Sequence, residues 1–95
     1  MNNDIKDYYG FGWAFYKSSG TAFKDEVHTG NSEELKQWCL GFLAGMAEYP
    51  EFPSFKKALI GLNVDCRIIN NLCKLADEAI NESNEFIRLP SVPIL

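Results

Sequence analysis

A chain of 95 residues with 13 acidic and 9 basic side chains, 46% hydrophobic and 14% aromatic, has the composition of one folded domain rather than a disordered tail. Its formal net charge of −4 opposes a nonspecific grip on phosphates, so direct nonspecific nucleic-acid binding is not expected. No apolar run reaches the ~18 residues of a membrane-spanning helix, so no membrane association is expected either.

The first thirty residues admit two readings. Ile5, Tyr8, Tyr9, Gly12, Trp13 and Tyr16 fit the apolar spacing of a helix near 4–18. The run GFGWAFY is also rich in strand-favouring aromatics, and KSSG could turn a hairpin at about 11–28. The helical reading is preferred because TAFKDEVH alternates poorly and carries Lys24, Asp25 and Glu26 in a row.

A second helix is expected over 32–48. Asn31 followed three residues later by Glu34 makes a capping box, and Glu33 adds negative charge where the helix dipole favours it. Leu35, Trp38, Cys39, Phe42, Leu43 and Met46 form its buried stripe, with Gly41 and Gly45 placed to let a neighbouring helix approach. Pro50 and Pro53 follow, Ser54 can cap a third helix over 54–62, and Asn63 would end it.

The fourth helix, over 65–87, starts from Asp65 as N-cap and carries Ile68, Ile69, Leu72, Cys73, Ala76, Ala79, Ile80, Phe86 and Ile87 at helical spacing. Glu78, Glu82 and Glu85 fall on the opposite side, a solvated face that a partner could read. Beyond Arg88, Pro90 and Pro93 predict an extended tail over 89–95, lying on its own core or in a partner's groove. The fold class expected is therefore mainly α, one compact domain of three to four helices; the alternative is α+β with the N-terminal hairpin.

Candidate chemistry is sparse. His28 is the only histidine, and Cys39, Cys66 and Cys73 show no metal-ligand spacing, so neither metal nor cofactor is expected. Cys66 and Cys73 stand seven apart on one helix, about 10 Å along its axis and beyond disulfide reach. Three unpaired thiols, with an opening MNNDIKDYYG that lacks a secretion signal, predict a cytoplasmic protein. Gly10 and Gly12 lack the rest of a phosphate loop and read as close-packing positions.

The segment WCLGFLAGM, residues 38–46, resembles the second helix of the ribosome modulation factor family and of small related phage and prophage proteins, through Trp38, Gly41, Phe42, Gly45 and Met46. GFGWAFYKSSG, residues 10–20, is similar to that family's earlier glycine-containing helix, one residue out of step, so the resemblance covers 10–46. It implies two antiparallel helices closed by aromatic and glycine contacts. For the namesake it implies ribosome binding, but that protein is strongly basic and this chain is acidic.

A rival resemblance is to ribonuclease H: TGNSEEL, residues 29–35, and VDCRIINNL, residues 64–72, are similar to two of its acidic motifs and would make Glu34 and Asp65 metal ligands. Helix capping accounts for both residues without catalysis.

The function expected from these residues is that of a non-enzymatic interaction protein, of phage or mobile-element origin, that binds and modulates or inhibits a host protein or protein–nucleic acid assembly such as a defence complex. The contact residues expected are Glu78, Glu82 and Glu85 with Tyr8 and Tyr9. A ribosome- or RNA-associated translation regulator is the second expectation, and a degenerate metal-dependent nuclease the third. The second requires Lys17, Lys24, Lys36, Lys56, Lys57 and Arg67 to converge on one face.

Overall fold

The computed structural model describes the backbone of residues 6–91 and the side chains of residues 6–82. Four α-helices are present among the described residues: α1 (Tyr8–Lys17), α2 (Ser32–Glu48), α3 (Phe55–Gly61) and α4 (Cys66–Ser91), with a 3-10 turn over Lys24–His28. There is no strand among them, so the alternative of a hairpin over 11–28 gives way to α1 and the 3-10 turn.

Each helix starts where a short polar side chain can accept from its first turn. Asp7 accepts from the Gly10 N–H, which places the start of α1 four residues later than the spacing suggested. Asn31 accepts from Glu34 N–H and Ser54 from Lys57 N–H, as expected of N-caps. The reciprocal half of the Asn31 box is indirect: Asn31 N–H donates to Thr29 Oγ1, whose hydroxyl donates to Glu34 at 2.5 Å. Asp65 accepts from Arg67 N–H at 2.9 Å at the start of α4.

Two helices stop in the same way. Ser19 and Asn63 adopt left-handed φ of 59° and 64°, and the next residues, Gly20 and Val64, donate back to Phe15 and Leu59. These are paired six-to-one and five-to-two bonds that satisfy terminal carbonyls of α1 and α3. At the far end, residues 89–91, expected to be extended, continue α4. Residues 92–95 of the expected tail, and the first residues of the expected 4–18 helix, lie outside the described residues.

The core forms where α1 meets α2. A Cβ on Gly41 would stand 1.8 Å from the Tyr9 carbonyl oxygen, and one on Gly12 would stand 1.9 Å from that of Trp38. The backbones therefore touch, which only glycine permits. Around this contact Phe15, Tyr16, Trp38 and Phe42 close with ring centroids 5.2–6.1 Å apart, and Trp38, Cys39, Phe42, Leu59 and Leu72 are fully buried. The Tyr16 hydroxyl donates to the Tyr49 carbonyl and accepts from Glu51 N–H, fastening the exit of α2 to α1.

The sense of this pair differs from the antiparallel arrangement that the ribosome modulation factor resemblance implies. The start of α1 lies beside Glu33, Glu34 and Gln37, and its end lies beside Gly45 and Tyr49. α1 and α2 thus run in the same sense, and the segment between them returns the chain through the 3-10 turn. α4 then packs on α2 and α3, and brings Ile69, Leu72, Leu75 and Ala76 into the core.

Candidate interaction surface

Three of the residues that could carry chemistry, Glu34, Asp65 and Cys39, are engaged in holding the fold. Glu34 is bound to Thr29 in the α2 cap, and Asp65 takes both the backbone and the guanidinium of Arg67. Those hydrogen bonds hold the Asp65 carboxyl down to about 2. Cys39 is buried and donates to the Leu72 carbonyl, and burial pushes its thiol up to about 12, the reverse of an activated nucleophile. His28 is exposed and no hydrogen bond joins it to Cys39 among the described residues. No group of three His, Cys, Asp or Glu side chains could hold a metal ion among the described residues.

What the fold does assemble is a charged surface around the first half of α2. Lys36, with its side chain only 11% exposed, extends between helices to Glu33 at 3.5 Å, Glu78 at 3.7 Å and Glu82 at 2.8 Å. The hydrogen bond to Glu82 raises its pKa above the ordinary lysine value. Glu78 and Glu82, expected as freely solvated carboxylates, are therefore also a clasp of α4 onto α2. The third, Glu85, lies outside the described side chains.

On the other flank of Glu33 the start of α1 comes alongside. Tyr8, expected in the contact surface, is buried instead, and its hydroxyl donates to Glu26 at 2.9 Å. Burial and that carboxylate raise the phenol's pKa. Tyr9, expected with it, is 44% exposed. Lys6 pairs with Glu26 at 3.6 Å. Tyr8, Tyr9, Asp7, Glu33, Glu34 and Gln37, with Lys6, enclose an open depression of ≈ 490 Å³.

The two separately expected patches, Tyr8 with Tyr9 and Glu78 with Glu82, are thus joined through α2. Asp7, Glu26, Glu33, Glu34, Glu78 and Glu82 stand there against Lys6 and Lys36, an excess of carboxylates. Of the expected contact residues, Glu78, Glu82 and Tyr9 border this surface; Glu33 and Glu34, read from the sequence as helix-start residues, and Lys36, read as one of six cations an RNA ligand would need on one face, border it as well.

Three of the six cations that an RNA ligand would need on one face are engaged at separate places. Lys17 lies 3.9 Å from the centroid of the Tyr49 ring and 5.6 Å from that of Trp13. Arg67 is bound to Asp65 at the start of α4, and Lys36 is enclosed by carboxylates.

No protein-family model, curated protein or solved structure matches this chain. No helix among the described residues is long and apolar enough to cross a membrane.

Proposed function

We propose that this chain is a non-enzymatic interaction protein that docks its α1–α2–α4 acidic surface on a positively charged region of another assembly and thereby modulates or inhibits it. The observation that carries this reading is the succession of Asp7, Glu26, Glu33, Glu34, Glu78 and Glu82, against Lys6 and Lys36, around the first half of α2 beside the exposed Tyr9. A protein or protein–nucleic acid complex with a basic cleft is the kind of target such a surface fits. The phage or mobile-element origin, a host defence complex as target and a cytoplasmic site of action belong to the same proposal. Their support is the resemblance over residues 10–46 and the three free thiols. The engagement of Lys17, Lys36 and Arg67 at separate places favours this reading over a ribosomal RNA ligand.

The test begins with affinity purification of the tagged chain from host cytosol and identification of what co-purifies. Binding is then measured with the purified partner. The proposal expects association that slows steeply as salt rises, and a lower association rate in the Glu78→Gln/Glu82→Gln variant. A partner whose association ignores both salt and this variant would remove the acidic surface from the account.

A further inference from the structure

We infer that residues 23–30 form a strap that opens as a unit while the helices stay folded, and that Val27 is the plug between two cavities that opening joins into one apolar cleft.

The strap is held at few points. Val27 is its one buried residue, at 4% exposure, whereas Phe23, Lys24, Asp25, His28 and Gly30 are exposed. Among the described residues no backbone–backbone hydrogen bond joins it to a helix: Glu26 N–H donates to the Phe23 carbonyl and Thr29 N–H to that of Glu26, both inside the strap. Its other fastenings are made by side chains. The Tyr8 hydroxyl donates to Glu26 at 2.9 Å, Lys6 stands 3.6 Å from the same carboxylate, and the Thr29 hydroxyl donates to Glu34 and accepts from Asn31 N–H. The Phe23 ring centroid lies 4.5 Å from that of Phe11.

Both ends suit a hinge. The Ser18 hydroxyl accepts from the N–H groups of Thr21 and Ala22, so the fixed chain reaches as far as Ala22. The next residue, Phe23, sits at a left-handed φ of 54°, a conformation that a bulky side chain is relieved to leave. At the other end Gly30 has nothing within 4 Å of where a Cβ would stand.

Val27 and His28 line a cavity of ≈ 450 Å³ together with Phe15, Leu62 and Val64, and a second of ≈ 180 Å³ together with Leu35, Ile68 and Leu72. The 3-10 turn is therefore the wall between them. Phe15, Val64, Leu35 and Leu72 are themselves buried, so withdrawing Val27 presents a continuous apolar surface between α1, α2 and α4. A segment with few buried contacts opens at a lower cost than global unfolding. The glycine seam of α1 on α2 and the Lys36 clasp of α4 on α2 do not involve the strap, and they hold the helices while it moves.

Native-state hydrogen exchange of the full chain, followed by NMR at a series of low urea concentrations, tests this. Protection of the Glu26 and Thr29 amides should be insensitive to urea, while that of Cys39 and Phe42 in α2 should fall with the slope of global unfolding. Val27→Ala trims the plug and should raise the exchange rates of Glu26 and Thr29 about tenfold. In a Val27→Cys variant, iodoacetamide should label position 27 in the folded protein while Cys39 stays unlabelled. One urea slope shared by the strap and α2, or no protection at Glu26 and Thr29, would overturn the strap as an opening unit. Unchanged exchange in Val27→Ala, or a Val27→Cys thiol as inert as Cys39, would overturn Val27 as its plug.

Discussion

Substituting alanine for Gly41 tests the packing on which the rest depends. The new Cβ would stand 1.8 Å from the Tyr9 carbonyl oxygen and 2.7 Å from its carbon, whereas Cβ contacts become ordinary only beyond 3.4 Å. The obstacle is backbone, so relief means moving α1 away by about 1.6 Å, enough to forfeit much of the dispersion contact across the seam. Overpacking of this kind costs up to about 3 kcal/mol, and alanine returns about 1 kcal/mol through its better helix propensity. The net expected is a loss of about 2 kcal/mol, which at a urea slope of about 1.5 kcal/mol/M moves the unfolding midpoint down by about 1.3 M. Gly30→Ala, with nothing within 4 Å of its Cβ, is the control and should stay within about 0.5 kcal/mol of the parent. Gly12→Ala should behave like Gly41→Ala, and the double variant should lose less than the sum, because one displacement of α1 relieves both clashes. A Gly41→Ala protein with a raised midpoint would mean that helix propensity alone is acting and that α1 and α2 do not touch.

Trp38→Ala should cost about 3 to 5 kcal/mol in chemical denaturation, the usual effect of emptying a large buried aromatic site; a loss below about 1 kcal/mol would place Trp38 at the surface. Alkylation of the native protein at mild alkaline pH should label Cys66 quickly and Cys39 not at all, since one is exposed and the other is buried with its thiol pushed up to about 12. All three should react once the chain is unfolded without reductant. The pH dependence has a worked sign at two places. The raised pKa of Lys36 means a stabilisation that is complete below the ordinary lysine value of 10.5 and lost as pH climbs through the folded value. The lowered pKa of Asp65 means one that is present above the ordinary 3.8 and lost as pH falls through about 2. Denaturant midpoints in a Lys36→Met variant should accordingly lose part of the decline above pH 10.5 that the parent shows.

At four helix limits that depend on a residue and its near neighbours, sequence reading succeeded, though it passed over the equally local Asp7 cap. Asn31, Ser54 and Asp65 cap as expected, and Asn63 terminates α3, because capping involves atoms only two or three residues apart. The aromatic N-terminal stretch was ambiguous because its residues suit helix and strand alike. What holds it helical is tertiary: Gly12 seats against the Trp38 carbonyl and Phe15 against Trp38 and Phe42. Lys36 was illegible for the same reason. It follows the buried Leu35 on α2, and its strongest partner, Glu82, is 46 positions away. The same-sense pairing of α1 and α2 was hidden in the 3-10 return, whose sequence contains a left-handed Phe23 that no turn pattern anticipates.

The Lys36 clasp also changes how the acidic surface can be interrogated. On the pattern alone, Glu78 and Glu82 lie opposite the apolar stripe and reversing them to lysine would leave the fold untouched. In the structure both face Lys36, at 3.7 Å and 2.8 Å, so two new cations would stand against a nearly buried one. The Lys pair is expected to lower the denaturation midpoint by loosening α4 from α2, and any loss of binding would then be uninterpretable. Glutamine removes the charge but keeps an oxygen that can accept from Lys36 Nζ. Glu78→Gln/Glu82→Gln should therefore stay near the parent midpoint while weakening the field that draws a basic partner, an effect read in the association rate and its salt slope. A Lys pair as stable as the Gln pair would show that Lys36 reaches solvent by another rotamer, and that the clasp does not hold α4.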